Sequence, residues 1–424
     1  MSLSTQPYKG ARDFYPEDKL IQKYMFGVMR RVCERFGYQE YDAPILEPLE
    51  LYSAKTGEEI VNEQTYAFED RGGRKVALRP EMTPTVSRLV ALKRQEFAYP
   101  ARLFNIGGRW RYERPQRGRY REFFQLDVDI FGVDNISAEL ELIQLMDTVL
   151  KEFGATESMY QIRINSRKLV DYIIENYLKL DKQTGHDLVK LIDRMNKLEP
   201  TKFEKELTEI VGSKLKGVKE LLQIEKLTDL PEALKDLQSV KELTDTINSL
   251  NKLGVQNVSF DISLMRGFDY YTDIVFEVFD THPTNNRSMF GGGRYDGLVG
   301  LFGVEPIPTV GFAMGDVTLQ NFLETNKLLP ELTTSVNAVA IILGNEYANA
   351  EPLIRELRNG GLNIAVDNTG RKLDKQLKSA DKSKVKNVII IGNDEISSGK
   401  LTLKNLDTGK TVKLSARQIM RELS

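Results

Sequence analysis

Between residues 124 and 130 the chain alternates strictly. Gln125, Asp127 and Asp129 share one parity, and Phe124, Leu126, Val128 and Ile130 share the other. Successive side chains of a strand point to opposite faces, so this segment reads as a strand with a core on one side and a polar cavity on the other. A core strand does not normally carry three polar groups in a row unless a ligand or partner groups satisfy them. Residues 103–112 read as its paired strand, joined to it through the polar, turn-prone loop Glu113–Arg121. Seven arginines crowd this stretch: Arg102, Arg109, Arg111, Arg114, Arg117, Arg119 and Arg121. Guanidinium forks suit phosphate and carboxylate. On a strand Arg109 and Arg111 share one face. A solvated basic hairpin is the plainer reading of such a loop, but the polar row on the return strand favours an anion site.

A second segment points the same way. Arg266–Gly267–Phe268–Asp269–Tyr270–Tyr271–Thr272 reads as the start of a strand that continues through the apolar run Ile274–Phe279. In a regular strand Arg266 and Tyr270 reach one site together, and Tyr271 joins them only through a bulge or bend. A cation and two phenols beside a glycine suit a small ligand with a negative charge and a hydrogen-bonding ring.

At 424 residues the chain is too long for one ordinary core. Its formal net charge of −2 gives no overall attraction to nucleic acid, so any such binding must use local patches. The single cysteine, Cys33, excludes an intramolecular disulfide and reads as a small buried hydrophobe rather than a reactive thiol. With only His186 and His282, a histidine triad or histidine-rich metal site is not expected. No metal-ligating residue is assigned. Lacking an apolar bilayer-length run and a signal pattern, the chain reads as soluble and cytoplasmic, with no membrane partner.

Helical periodicity runs from Leu20 to Phe36 and stops at Gly37. Residues 38–46 look extended, residues 64–80 form a hairpin around Asp70–Gly73, and a helix begins near Pro84 with proline in its first turn. Ala138–Phe153 is a helix. Residues 166–254 are rich in Lys, Glu, Leu and Asp and read as a helical insertion. Glycine-bearing strand sequence then resumes through 255–328. Residues 328–335 read as a linker. Strand–helix alternation over 334–424 implies a separate α/β domain.

These residues carry a resemblance. Phe104–Asn105–Ile106–Gly107–Gly108–Arg109–Trp110–Arg111–Tyr112–Glu113–Arg114–Pro115–Gln116–Arg117–Gly118–Arg119–Tyr120–Arg121–Glu122–Phe123 closely resembles motif 2 of class II aminoacyl-tRNA synthetases, in the form of the histidyl-tRNA synthetase family. The 266–272 segment and Gly291–Gly292–Gly293–Arg294–Tyr295–Asp296–Gly297–Leu298 resemble that family's two histidine motifs. Lys9–Pro16 and Arg79–Pro80–Glu81–Met82–Thr83 resemble two further segments. The match covers almost the whole chain. It implies an α+β catalytic domain with an antiparallel sheet (1–165 and 255–328), the helical insertion (166–254) and a C-terminal α/β anticodon-binding domain (334–424).

The resemblance also implies an activity: ATP and L-histidine form histidyl-adenylate, and the histidyl group passes to tRNA(His). Arg111 would hold the α-phosphate, and Arg266 would sit beside the reacting carboxylate and phosphate. Fixed cations there stabilise the charge that builds as carboxylate attacks. Glu81, Thr83 and Gln125 match positions that grip the α-ammonium, with Met82 between the first two. Glu81 could also cap the helix at Pro84. Asp129 and Tyr271 match positions that bind the imidazole, and Tyr270 lines the pocket. The family usually has glutamate where Asp129 stands, which shortens its reach and admits a bridging water. Asp129 could alternatively pair with an arginine of the cluster. Tyr295 lines the ligand or belongs to the core. The three glycines at 291–293 permit close backbone approach to a ligand.

The ATP set is Arg111, Glu113, Arg119, Phe123 and Thr318, with Mg2+ accompanying the nucleotide. Thr318 marks a departure. The segment Gly311–Leu319 aligns with motif 3, where the family norm places an arginine on the γ-phosphate, and threonine cannot supply that charge. Arg114, Gln116 and Arg117 would meet the tRNA acceptor end. The basic stretch Arg371, Lys372, Lys375, Lys378, Lys382, Lys384 and Lys386 could meet RNA phosphate or be a solvated face. Helix 20–36 and the strand ending near Pro44 look like motif 1, which implies a homodimer. The alternative function is a non-charging, synthetase-like regulatory subunit of ATP phosphoribosyltransferase. The C-terminal domain and the nearly complete motifs argue against it.

Overall fold

The computed structural model describes residues 3–53, 64–115, 118–195, 198–265, 270–285 and 288–423. Arg266, with residues 267–269, and Gln116 and Arg117 lie outside the described residues. Two compact units divide the chain: Met1–Asp13 with Gln22–Leu329, and Phe14–Ile21 with Pro330–Ser424.

The first unit is built on an eight-stranded sheet. In chain order its early elements are α1 (Pro16–Arg35, which belongs to this unit from Gln22 on), β1 (Gln39–Glu40), β2 (Leu46–Pro48), α2 (Glu50–Ser53), β3 (Ala67–Glu69), β4 (Lys75–Leu78) and α3 (Thr83–Leu92). The hairpin β5 (Ala101–Trp110) and β6 (Glu122–Phe131), then α4 (Ser137–Glu152) and β7 (Tyr160–Ser166), follow. Helices then run unbroken by strands: α5 (Arg167–Tyr172), α6 (Lys182–Asp193), α7 (Pro200–Val211), α8 (Leu215–Leu222), α9 (Glu232–Lys235) and α10 (Gln238–Lys252). The unit closes with β8 (Val258–Phe260), β9 (Ile274–Asp280), β10 (Ser288–Arg294), β11 (Thr309–Gly315) and α11 (Asp316–Thr325).

Strand order is β1-β5-β6-β11-β10-β9-β7-β8. All pairings are antiparallel except the two outermost, β1 with β5 and β7 with β8. One face is apolar. It presents Leu126, Val128, Phe312, Met314, Phe276 and Ile164, all buried, and α4 packs on β11 there with Leu142, Leu145, Met146 and Val149. The stripe on α1 (Met25, Val28, Met29, Val32) and Cys33 are buried too, and burial pushes the Cys33 thiol up. Gly37 ends α1 with φ +81°, a conformation that glycine adopts without penalty. Gly292 faces this apolar side, where a Cβ would stand 2.1 Å from the Gly311 carbonyl oxygen of the next strand.

Two expectations change. The strand after Arg266 starts only at Ile274, so Tyr270 and Tyr271 precede it in a turn and are not bound to alternate faces. The strand read over 103–112 ends at Trp110, which leaves Arg111 just beyond the ladder.

The second unit holds β12 (Ala338–Ile342), α12 (Tyr347–Asn359), β13 (Ile364–Asp367), α13 (Leu373–Lys382) and β14 (Asn387–Ile391), the strand–helix alternation read from sequence. These three strands are parallel. Beyond them come α14 (Asn393–Ser398), the antiparallel strands β15 (Lys400–Asn405) and β16 (Thr411–Ser415), and α15 (Ala416–Leu423). Among the described residues no helix is long and apolar enough to cross a membrane.

Gly292→Ala will destabilise the first unit by roughly 1–3 kcal/mol, because the clash is with backbone that cannot rotate away. Gly297→Ala, whose Cβ meets nothing within 4 Å, is the matched control. Urea midpoints of the two variants give the comparison.

Candidate active site

The polar face of the sheet begins with a buried charge network. On β5, Asn105 and Arg109 share the parity that pairs with Asp127 on β6. The Arg109 Nη2 donates to Asp127 at 2.6 Å and to the Asn105 Oδ1 at 2.8 Å, all three side chains being buried. Arg79 lies against β5, where a Cβ on Gly107 would stand 2.6 Å from its Nη2. It donates to the carbonyls of Gly108 (2.9 Å) and Ala43 (2.7 Å) and to the Asp42 carboxylate (3.1 Å). Trp110 N–H donates to the Arg79 carbonyl, and Arg111 Nε donates to the Pro80 carbonyl. The segment Arg79–Thr83 is therefore fixed at both its guanidinium and its backbone.

That segment delivers Glu81 and Thr83. Tyr270 OH donates to Glu81 at 2.9 Å and stands 3.4 Å from the Thr83 hydroxyl. The N-cap of α3 is Met82, whose side chain makes no capping bond, so Glu81 is not the helix cap. The Met82 side chain is fully buried, with its sulfur 3.8 Å from Arg79, so a ligand could meet this residue only at its backbone.

Along β6 the three polar residues differ in what satisfies them. Asp127 takes Arg109, whereas Asp129 does not pair with an arginine; it accepts from Tyr295 OH at Oδ1. Its Oδ2, the Gln125 Oε1 and the Tyr41 hydroxyl are buried without a hydrogen-bond partner among the described residues. Orphaned buried polar atoms of this kind call for a ligand. Burial, despite the Tyr295 bond and helped by Asp127, pushes the Asp129 carboxyl up to about 8. Burial also raises Asp127, against the pull of Arg109.

Beside this row the floor of the cleft is nearly bare. Register pairs Asp129 with Gly311 and that with Gly293, and pairs Asp127 with Ala313 and that with Gly291. A Cβ at Gly311 would stand 2.0 Å from the Asp129 Oδ1, and one at Gly293 would meet the Tyr271 ring at 3.0 Å. The glycines and alanine thus leave a tray two strands wide, about 10 Å across. Tyr271 and Tyr295 both pack on Tyr270, with ring centroids 5.0 and 5.7 Å from it. At the far side Glu277 leans over Gly291, and burial pushes its carboxyl up to about 7. Its neighbour Arg163 is turned away to Asp261 and Phe279.

Beyond the tray, Arg111 lies over the Phe123 ring at 5.3 Å, and no ion pair of Arg111 with a carboxylate is found among the described residues. Arg119 bonds Glu113 at 3.1 Å, and Arg114 is exposed. The Thr318 hydroxyl donates inward to the Met289 carbonyl at 2.7 Å, with the Gly315 carbonyl at 3.2 Å. The first turn of α11 carries no cation; its Asp316 binds Arg12 at 2.8 Å and the Phe124 N–H at 2.9 Å.

The described residues bring together Glu81, Thr83, Gln125, Asp129, Tyr270 and Tyr271 around the tray, with Arg111 and Phe123 beside it. Tyr295, left open between ligand and core, is the partner of Asp129, while its neighbour Arg294 points into a buried double bond with Glu139 (2.7 and 2.8 Å). Tyr41 and Glu277 were not singled out from sequence. The alternate glycines at 291 and 293, matched by Gly311, Ala313 and Gly315, were the signal available for the tray.

Comparisons with known proteins bear on the family and the fold. The histidyl-tRNA synthetase family profile matches residues 10–318, and an anticodon-binding-domain profile matches 338–424. A histidine–tRNA ligase of Leptospira biflexa is 39% identical, covering 99% of this chain and 98% of its own. The Haloarcula marismortui ligase is 35% identical over 95% of this chain and 94% of its own. Among solved structures, histidyl-tRNA synthetase from Nostoc sp. PCC 7120 superposes with a TM-score of 0.81 at 25% identity, covering all of both chains. A Bacillus halodurans structure described as an ATP phosphoribosyltransferase regulatory subunit/histidyl-tRNA synthetase shares the fold, with a TM-score of 0.74 at 24% identity over 93% of this chain and all of its own.

Asp129→Asn tests the buried carboxyl. Unfolded, Asp129 ionises near 3.8; folded, it keeps its proton to about 8. Between those values the folded state binds the extra proton, so this group lowers stability by about 1 kcal/mol per pH unit as pH rises, levelling off above 8. The amide removes that slope. Melting curves of ligand-free protein will show the variant gaining on the wild type from pH 5 to pH 8.

Proposed function

The chain belongs to the histidyl-tRNA synthetase family, and from that premise we propose that it ligates L-histidine to tRNA(His) through a histidyl-adenylate. The observation that carries this reading is the pair of orphaned polar groups on β6, Gln125 and Asp129, set beside a glycine tray with Arg111 at its edge. The full-length ligase relatives, and the anticodon-binding-domain match over 338–424, favour charging over a regulatory role.

Each group has a part. Glu81, Thr83 and Gln125 supply oxygens to the three N–H donors of the substrate ammonium. Met82 contributes backbone. The buried Asp129 carboxyl, oriented by Tyr295, meets one imidazole nitrogen, and Tyr271 meets the ring from the Gly293 side. An amino acid without those ring groups leaves buried polar atoms unpaired and is rejected. Arg111 holds the α-phosphate, and Arg266 is proposed from the family pattern to join it beside the reacting carboxylate. A carboxylate nucleophile needs no general base, so orientation and fixed positive charge carry the first step. The adenine stacks on Phe123, between Glu113 and Arg119.

Because the Thr318 hydroxyl is committed to β10, it contributes little to the nucleotide tail. Mg2+ is proposed to enter with ATP as part of the substrate. Bound to the phosphates, it would offset their charge.

For the RNA, Arg114 with Gln116 and Arg117 is proposed to meet the acceptor end. The exposed basic residues on and around α13 are proposed to meet phosphate of the anticodon arm. The helices α5 to α10 are proposed to clamp the acceptor stem. A homodimer through motif 1 is supported by the exposed Ile45 and Leu46, which follow that segment, while the α1 stripe is already consumed within the chain. A cytoplasmic site of action is proposed along with this function.

Purified protein will catalyse histidine-dependent ATP–pyrophosphate exchange and charge total tRNA with labelled histidine; absence of both activities defeats the reading. Arg111→Ala will lower the exchange rate about 100- to 1,000-fold, as loss of a preorganised transition-state contact does.

A further inference from the structure

The hydroxyl of Tyr41 is a buried donor that the roles given above leave unused. Tyr41 follows β1, and its backbone is tied to β5 twice. Its N–H donates to the Phe104 carbonyl at 2.9 Å, and its carbonyl accepts from the Asn105 Nδ2 at 2.7 Å. Two residues earlier, Gln39 pairs with Leu103, and Leu103 pairs with Asp129. Alternation therefore sets Tyr41 over the same face as Asp129, with only β5 between their strands. The ring packs against the apolar cluster that holds Leu103, Val86 and Val90, so its direction is held by packing. Burial pushes the Tyr41 phenol well above its usual range, and Asp129 is the charge that adds most to this, ahead of Asp127. Burial and Asp129 raise the Tyr295 phenol as well, and Tyr41 adds to the effect. The two phenols and the carboxyl thus share one small region.

A buried phenol normally finds a hydrogen-bond partner, and leaving it without one is costly. Of the two carboxylates beside Tyr41, Asp127 is taken by Arg109, and Asp129 has its Oδ1 filled by Tyr295. The Asp129 Oδ2 and the Tyr41 hydroxyl both remain without a hydrogen-bond partner among the described residues. A donor and an acceptor, both buried and both open, complement one another. A carboxylate oxygen has two lone pairs, so it can take a substrate N–H and a phenol together. With Tyr295 on the other oxygen, the carboxylate then has three donors, which offsets the cost of holding its charge out of water. We propose that Tyr41 is a positioning residue for substrate selection: when a ring N–H of the amino acid bonds the Asp129 Oδ2, the Tyr41 hydroxyl donates to the same oxygen and holds the carboxyl toward the ring. The inference rests on the histidine-ligating reaction proposed above.

Histidine-dependent exchange by the unmodified protein is measured first. Its absence would sink the ligase reading and this inference with it, whereas wild-type exchange matched in full by Tyr41→Phe would sink this inference alone. Tyr41→Phe keeps the ring and its packing and removes only the oxygen. Its KM for histidine is expected to rise about tenfold or more, while kcat and the KM for ATP stay within about twofold of wild type. Without ligand the variant should melt at the wild-type temperature or above it, because an unpaired buried oxygen is gone. Added histidine should raise that temperature less than it raises the wild type's. A variant that melts lower while its KM for histidine is unchanged has lost a hydroxyl that serves the fold alone, and would overturn the proposal. So would a parallel change in kcat and in both KM values.

Discussion

The buried pair between Arg109 and Asp127 is the contact on which the rest of the catalytic unit depends. Both side chains are almost wholly out of water, at 0% and 4% exposure. Ions so placed are tolerable only when their remaining donors and lone pairs are also met. Asn105 and the Gly108 carbonyl meet the two Nη groups of Arg109, while its Nε has no partner among the described residues, and Arg79 and Asp42 extend the network to the loop above. Removing either ion would leave the other uncompensated, at a cost of about 3–5 kcal/mol. The network cannot shift without moving Arg79–Thr83, and that segment carries the carboxylate and hydroxyl that face Tyr270. A charge pair that contributes little net stability therefore sets the position of the amino-acid site.

The second constraint is the absence of side chains. Gly291, Gly293, Gly311 and Gly315 sit where the sheet would otherwise fill its own cleft, and several have no room for even a methyl group. Asp129 and Tyr295 occupy the space over Gly311, and Tyr271 the space over Gly293. The ligand site is thus an ordered gap: aromatic and acidic groups stand around backbone that a flat molecule can approach. Burial keeps the Asp129 proton on through neutral pH, which makes this carboxyl a donor as readily as an acceptor toward a ring nitrogen.

Much of this was legible from residue types and spacing. Alternation fixed β6 and the side of the sheet on which the polar residues stand. Glycine after a helical stripe placed the end of α1, and proline placed the start of α3. The strand assumed for Tyr270 and Tyr271 was not legible, because β-prone residues also occur in turns held by tertiary contacts. Nor was the choice Asp129 makes between an arginine and Tyr295. Asp127 and Asp129 have the same chemistry and the same parity, and only the neighbour strands distinguish them: β5 brings Arg109 to one, while the chain leaving β10 brings Tyr295 to the other.

By itself the sequence determined the elements, the polar face and the family, because these depend on periodicity and on motifs contiguous along the chain. The tertiary structure decided which acid is paired, which is left with an open oxygen, and how glycines on two strands combine into one tray. It also decided that the hydroxyl of Thr318 turns inward. Each of those outcomes depends on residues far apart in the chain meeting in a space where water is excluded, and neither local propensity nor spacing encodes that meeting.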